Sequence, residues 1–85
     1  MKTFEYTIRD ELGIHARPAG LLAKKAKSLD SEITITLADK KAIATKLMAV
    51  MGLGIKCGDT VTITINGGDE IASEKEMKEF FEKNL

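Results

Sequence analysis

His15 is the only histidine in the chain, and it stands in the segment Gly13-Ile14-His15-Ala16-Arg17-Pro18. A neutral imidazole has a free lone pair and acts as a nucleophile near neutral pH. The residues that follow read as the first turn of a helix, where the backbone N–H groups of Ala16 and Arg17 have no intrahelical acceptor and attract anions. Arg17 adds a planar fork suited to phosphate. A nucleophile, two free amides and a guanidinium predict a site that accepts a phosphoryl group and stabilises the negative phosphohistidine it forms. Phosphoryl transfer needs mainly positioning and charge stabilisation, so a small site suffices.

Other chemistries find less support. One histidine, one cysteine and scattered acids have no metal-ligand spacing, so no metal and no cofactor are expected. Neither a phosphate-binding glycine loop nor a dinucleotide fingerprint occurs, and no serine or cysteine is flanked as a nucleophile. A phosphatase working through His15 would need a second histidine or a general acid to release product, and the chain offers no clear one.

The elements that must position His15 follow from periodicity. Phe4, Tyr6 and Ile8 alternate with polar residues as a half-buried strand, and Asp10-Glu11-Leu12-Gly13 makes a polar loop. Arg17 to Ser28 reads as a helix with Pro18 tolerated in its first turn and Ala19, Leu22, Ala23 and Ala26 on its core face. Ile33, Ile35 and Leu37 mark a second strand, and Lys41 to Ala44 return from it as a short third. Leu47 to Met51 is an apolar run too short to classify by period alone, but its helix formers and the closing Gly52 favour a short helix. Val61, Ile63 and Ile65 form another strand. A last helix begins between Asp69 and Ser73, either of which can cap it, with Met77, Phe80 and Phe81 as its buried stripe. Its exposed side offers Glu74–Lys78 and Glu79–Lys83 pairs.

The order β-α-β-β-α-β-α predicts an α+β fold, a four-stranded, mainly antiparallel sheet with helices on one face. At 85 residues a single domain covering 1–85 is expected. Thirteen basic and thirteen acidic residues cancel, which argues against a general nucleic-acid binder. The charges are unevenly spread, however. Arg17, Lys24, Lys25 and Lys27 run without an acid between them, whereas acids dominate the last helix. The His15 region therefore suits an anionic ligand or an acidic protein. No apolar run suggests a signal peptide or membrane insertion, and the lone Cys57 suits a reducing compartment, so a cytoplasmic protein is expected.

The segment Gly13 to Pro18 resembles the active-site signature of the HPr family, the histidine-containing phosphocarriers of the bacterial phosphoenolpyruvate:sugar phosphotransferase system (PTS). A second stretch, Lys46-Leu47-Met48-Ala49-Val50-Met51-Gly52-Leu53-Gly54, resembles that family's other conserved region, and the likeness in length and element order covers the whole chain. The resemblance implies an open-faced β-sandwich of three helices over four antiparallel strands. It implies a non-enzymatic carrier, working as a monomer, in which His15 takes a phosphoryl group on Nδ1 from phospho-Enzyme I and donates it to a sugar-specific enzyme IIA. Arg17 matches the residue that assists at the phosphohistidine.

The same resemblance makes Leu47, Met48 and Met51 an exposed docking patch; the plain reading of a short helix makes them core. Flexible methionine suits a surface that must fit several partners, and the two readings are compatible on different faces. Lys24 and Lys27 are either solvated or steer acidic partners toward the site. One position departs from the family. Lys46 stands where these proteins typically carry a serine, the target of a regulatory kinase in many Gram-positive bacteria, so no regulatory serine is expected at that position. Lysine neither accepts that phosphate nor caps a helix, and Thr45 is one residue out of register. The departure opens a second reading: a paralogue that acts mainly as a regulatory protein-binding module.

Overall fold

The computed structural model describes residues 1–85. The elements run β1 (Lys2–Thr7), α1 (Ala16–Lys27), β2 (Glu32–Leu37), β3 (Lys40–Ile43), α2 (Leu47–Met51), β4 (Thr60–Asn66) and α3 (Glu70–Asn84). This is the predicted order. One sheet holds all four strands, β1-β4-β2-β3, and every neighbouring pair is antiparallel. The expected α+β open-faced sandwich is thus the fold observed, and element ends differ from the sequence reading by a residue or so.

Register explains the core. Ile33 lies opposite Ile65 and Ile35 opposite Ile63 across the two central strands, so their side chains share one face. All four are buried, as is Val61. The other face of these strands carries the half-buried threonines Thr34, Thr36, Thr62 and Thr64. On the apolar face α1 contributes Ala19, Leu22, Ala23 and Ala26, all buried. Ala19, Leu22 and Ala26 share one core cluster with the isoleucines.

Helix α3 completes the core with Met77 and Phe81, both 0% exposed. Phe81 meets Phe4, Tyr6 and Phe80 edge-on, with ring centroids 6.1, 5.4 and 6.0 Å away. Phe80 itself is only half-buried at the rim of that stripe. The start of α3 settles the two candidate caps. Asp69 accepts from the Ala72 amide at 3.1 Å, and Glu70 reaches back to the Gly67 amide at 2.7 Å. Ser73 therefore lies a full turn inside the helix and faces the core. Its hydroxyl is paired there with Ser31 at 2.8 Å, while Ser31 donates to the Gly67 carbonyl at 2.6 Å. The pairing satisfies a buried polar group that would otherwise oppose folding. The Met1 amino group, 2.8 Å from Glu70, and the Gly67 amide hold the Glu70 carboxyl below its ordinary value of 4.5. Of the two surface pairs expected on α3, Glu74–Lys78 closes at 4.0 Å and Glu79–Lys83 does not form.

Phe81 joins α3 to β1 through its ring contacts with Phe4 and Tyr6, so its loss leaves a cavity at the centre of the aromatic cluster. Phe81→Ala is expected to lower stability by about 3–5 kcal/mol in urea unfolding, with an unchanged urea dependence. A loss under about 1 kcal/mol would show that α3 does not depend on this contact.

Candidate functional site

The loop between β1 and α1 carries His15, and backbone contacts fix it on both sides. Asp10 closes a turn in which its carbonyl accepts from the Gly13 amide at 2.9 Å and its carboxylate accepts from the Leu12 amide at 2.9 Å. Gly13 follows with φ +68, a conformation that favours glycine. A Cβ there would overlap the Ile55 carbonyl oxygen and lie 2.8 Å from Lys56 Cα. The next amide, of Ile14, donates to that same Ile55 carbonyl at 3.1 Å, and the Ile14 side chain is buried. The chain thus reaches His15 from a point clamped against the segment that leads into β4.

His15 occupies the N-cap position of α1 in an extended conformation, φ −103 and ψ −172. Its carbonyl accepts from the Ala19 amide at 2.9 Å and so begins the helix. Its side chain makes no capping hydrogen bond, which leaves the half-buried ring available. Ala16 and Arg17 are the first two helical residues, and neither amide has a partner within the protein. Pro18 comes next and has no N–H to satisfy. The first turn therefore presents two free donors, an uncapped imidazole and an exposed Arg17 side chain without an ion-pair partner. The helix starts one residue earlier than predicted, which brings the Ala16 amide inside the turn as the phosphate reading requires.

These groups border an open cleft of about 210 Å³ lined by Asp10, His15, Arg17, Pro18, Leu21, Lys83 and Asn84. Four of those seven were not singled out from the sequence. Leu21 left a signal: it falls outside the core stripe of α1 and is a 42% exposed leucine. Asp10, Lys83 and Asn84 left none, because only the docking of the end of α3 onto the loop before His15 brings them there. That docking is made by the Arg9 and Asp10 amides, both donating to the Leu85 main-chain oxygen, at 2.6 and 2.9 Å. Arg9 Nη2 adds a bond to the Glu82 carbonyl at 2.8 Å.

The two readings of the second motif separate by face. Val50 is fully buried and anchors α2 in the core, whereas Leu47 and Met48 are 37% and 76% exposed and Met51 is half-buried. Helix α2 packs against α1, so the exposed residues sit on the same side of the molecule as that helix. Leu12, at 73%, is another exposed leucine of the His15 loop. Lys24 and Lys27 are exposed on α1. Lys46 is the N-cap residue of α2, exposed and without a capping side-chain bond; Thr45 does not substitute for it. No group of three histidine, cysteine or acidic side chains is placed to hold a metal ion. Cys57 is exposed, and its thiol donates to the Arg9 carbonyl at 3.7 Å.

A family model described as "PTS HPr component phosphorylation site" matches residues 2–83. The chain belongs to the HPr family. It is 43% identical over 70 residues, 82% of this chain and 80% of the relative, to the phosphocarrier protein HPr of Lysinibacillus sphaericus. The structure of a histidine-containing phosphocarrier protein from Mycoplasma superposes with a TM-score of 0.89 at 37% identity, over 93% of this chain and 90% of that one. HPr-C-His from Thermoanaerobacter tengcongensis superposes with a TM-score of 0.91 at 32% identity, over 98% and 93%. An HPr dimer from that organism has also been solved. The family that the sequence resembles is thus the one that the family model, the relative and the solved structures give.

Gly13 is the residue on which the geometry of the HPr-family site depends most. Gly13→Ala forces a Cβ into the Ile55 carbonyl at a positive φ, so it is expected to destabilise the fold by about 2 kcal/mol or more. In the folded fraction the His15 ring resonances should move as the loop lifts from Ile55. Unchanged stability and unchanged His15 resonances would contradict the clamp.

Proposed function

We propose that this HPr-family chain is a phosphocarrier in which His15 takes a phosphoryl group from phospho-Enzyme I and passes it to a sugar-specific enzyme IIA. The observation that carries the reading is the combination at the start of α1: an uncapped His15 ring, two unpartnered amides on Ala16 and Arg17, and an unpaired guanidinium. In the forward step the imidazole lone pair attacks phosphorus. The P–N bond to the donor histidine breaks as the P–N bond to His15 forms, and the donor imidazole leaves with the electron pair. Both partners are histidines, so neither direction needs a strong general acid. The phosphoryl oxygens gather charge where the Ala16 and Arg17 amides and the Arg17 fork point, which lowers the barrier and keeps the product from reacting with water. No independent turnover of a small molecule is involved.

In this reading the exposed Leu47 and Met48, with half-buried Met51, form the apolar part of the docking surface, and Lys24 and Lys27 steer acidic partners to it. The transfer unit in this reading is a monomer. It works in the cytoplasm, where Enzyme I meets phosphoenolpyruvate; no helix is long and apolar enough to cross a membrane. Incubation with Enzyme I and phosphoenolpyruvate is expected to give an acid-labile, base-stable phosphate on the wild-type chain and none on His15→Ala. Labelling of the His15→Ala protein would overturn the assignment.

Lys46 favours a limit on regulation. An exposed lysine occupies the start of α2 where the family typically has its regulatory serine, and no hydroxyl takes its capping role. HPr kinase with ATP is expected to leave the purified chain unlabelled, whereas efficient labelling at Thr45 would reverse this. The same position supports the second reading, a paralogue that binds a regulatory partner. That reading predicts tight partner binding by a His15→Ala chain and no transfer to any enzyme IIA.

A further inference from the structure

The cleft beside His15 holds two cations, and only one of them belongs to the first turn of α1. Lys83 lines it from the last turn of α3. The backbone on either side of Lys83 is tied to the His15 loop: the Glu82 carbonyl accepts from Arg9 Nη2 at 2.8 Å, and the Leu85 main-chain oxygen accepts from the Arg9 and Asp10 amides. Arg9 is in turn held by Tyr6, whose hydroxyl takes its Nε–H at 3.1 Å and whose ring lies 5.8 Å beneath the guanidinium. The stem of Lys83 therefore starts from a fixed point. Its ammonium is uncommitted, because the i,i+4 partner Glu79 does not close an ion pair with it. The other α3 side chain at the cleft, Asn84, has turned its amide back to the Phe80 carbonyl at 3.0 Å.

We propose that Lys83 is a phosphate-binding residue of the HPr site: when His15 carries the phosphoryl group, the Lys83 ammonium pairs with its oxygens together with Arg17. This rests on His15 as the phosphorylated residue and extends the site to the far end of the chain. The charge balance fits. The unloaded cleft sets Arg17 and Lys83 against one carboxylate, Asp10, whose Oδ1 already accepts the Leu12 amide. A phosphoryl group brings a charge of roughly −1.5 to −2, so one guanidinium leaves part of it uncompensated and a second cation answers it. No bond is made or broken at Lys83.

The test uses the whole chain loaded chemically. Phosphoramidate transfers its phosphoryl group to imidazole as its P–N bond breaks and ammonia leaves. His15 is the only histidine, so any phosphohistidine formed is at His15. The phosphoryl titration is then followed by phosphorus NMR in wild type, Lys83→Gln, Lys83→Arg and, as a control on the exposed face of α3, Lys75→Gln. The charged groups facing the phosphoryl are Asp10 from the loop, Arg17 from α1, and Lys83 with Glu79 behind it on α3; all but Lys83 are constant across the set. Removing a nearby cation disfavours the dianion, so Lys83→Gln should raise the phosphoryl pKa by about 0.2–0.7 units, an effect diminished in 1 M salt. Lys83→Arg and Lys75→Gln should match wild type. Superimposable curves for wild type and Lys83→Gln would overturn the proposal. A Lys83 shift in chemically loaded protein that Enzyme I cannot load would leave Lys83 standing and remove the carrier reading instead.

Discussion

The hydrogen bond from the Ile14 amide to the Ile55 carbonyl, made possible by Gly13, is the contact on which the site depends. It brings the β1–α1 loop onto the segment before β4 with no room for a side chain at position 13. From that fixed point the chain has one residue in which to turn from a buried Ile14 into a helix. His15 must then be the cap residue, with its carbonyl committed to the helix and its ring left out of it. The usual device for stabilising a helix start is a side chain that bonds back to the first amides. Here that device is missing, and the Ala16 and Arg17 amides are left without a partner in the protein, free for the phosphoryl group of the proposed carrier. In the proposed function, the stability that a side-chain cap would add to α1 is forgone and the first turn stays open to the phosphoryl group.

The same economy shapes the rest of the molecule. The isoleucine face formed by β2 and β4 carries α1 on a stripe of small residues, and Val50 holds the short α2 beside it. Val50 lies in the core and Met51 packs against its edge, while Leu47 and Met48 stay exposed. Exposed apolar residues on the helix packed against α1, together with an open cleft, suit a site whose substrate arrives on another protein. An enclosed pocket would exclude water better but would also exclude a partner's histidine. In the proposed transfer, water is kept away by the docked partner.

How much of this was legible depended on how local each feature is. Strict alternation in Ile33 to Leu37 and Val61 to Ile65 specified the strands and their buried face, because one face had to be covered. The grouping of His15, Ala16 and Arg17 was legible because one helical turn brings them together whatever the fold around them. The cap of α3 was ambiguous: Asp69 and Ser73 both suit the role, and the fold uses Asp69, while Ser73 turns into the core and pairs with Ser31, a residue distant in sequence. Leu47 to Met51 stayed open because a five-residue run has too few turns to reveal its face. Lys83 and Asp10 were not legible at all. Their meeting depends on Arg9 reaching the carbonyl of Glu82, a contact between the two ends of the chain that no local pattern records.

The central claim is that the phosphoryl group on His15 is in transit between proteins. The most direct measurement is a chase: phosphorylated protein, freed of donor, is mixed with a panel of enzyme IIA domains while label is followed on both proteins and in solution. The account predicts that label leaves His15 and appears on at least one enzyme IIA, with little released as inorganic phosphate over the same interval. Label that stays on His15 with every acceptor, or that leaves only as inorganic phosphate, would contradict it.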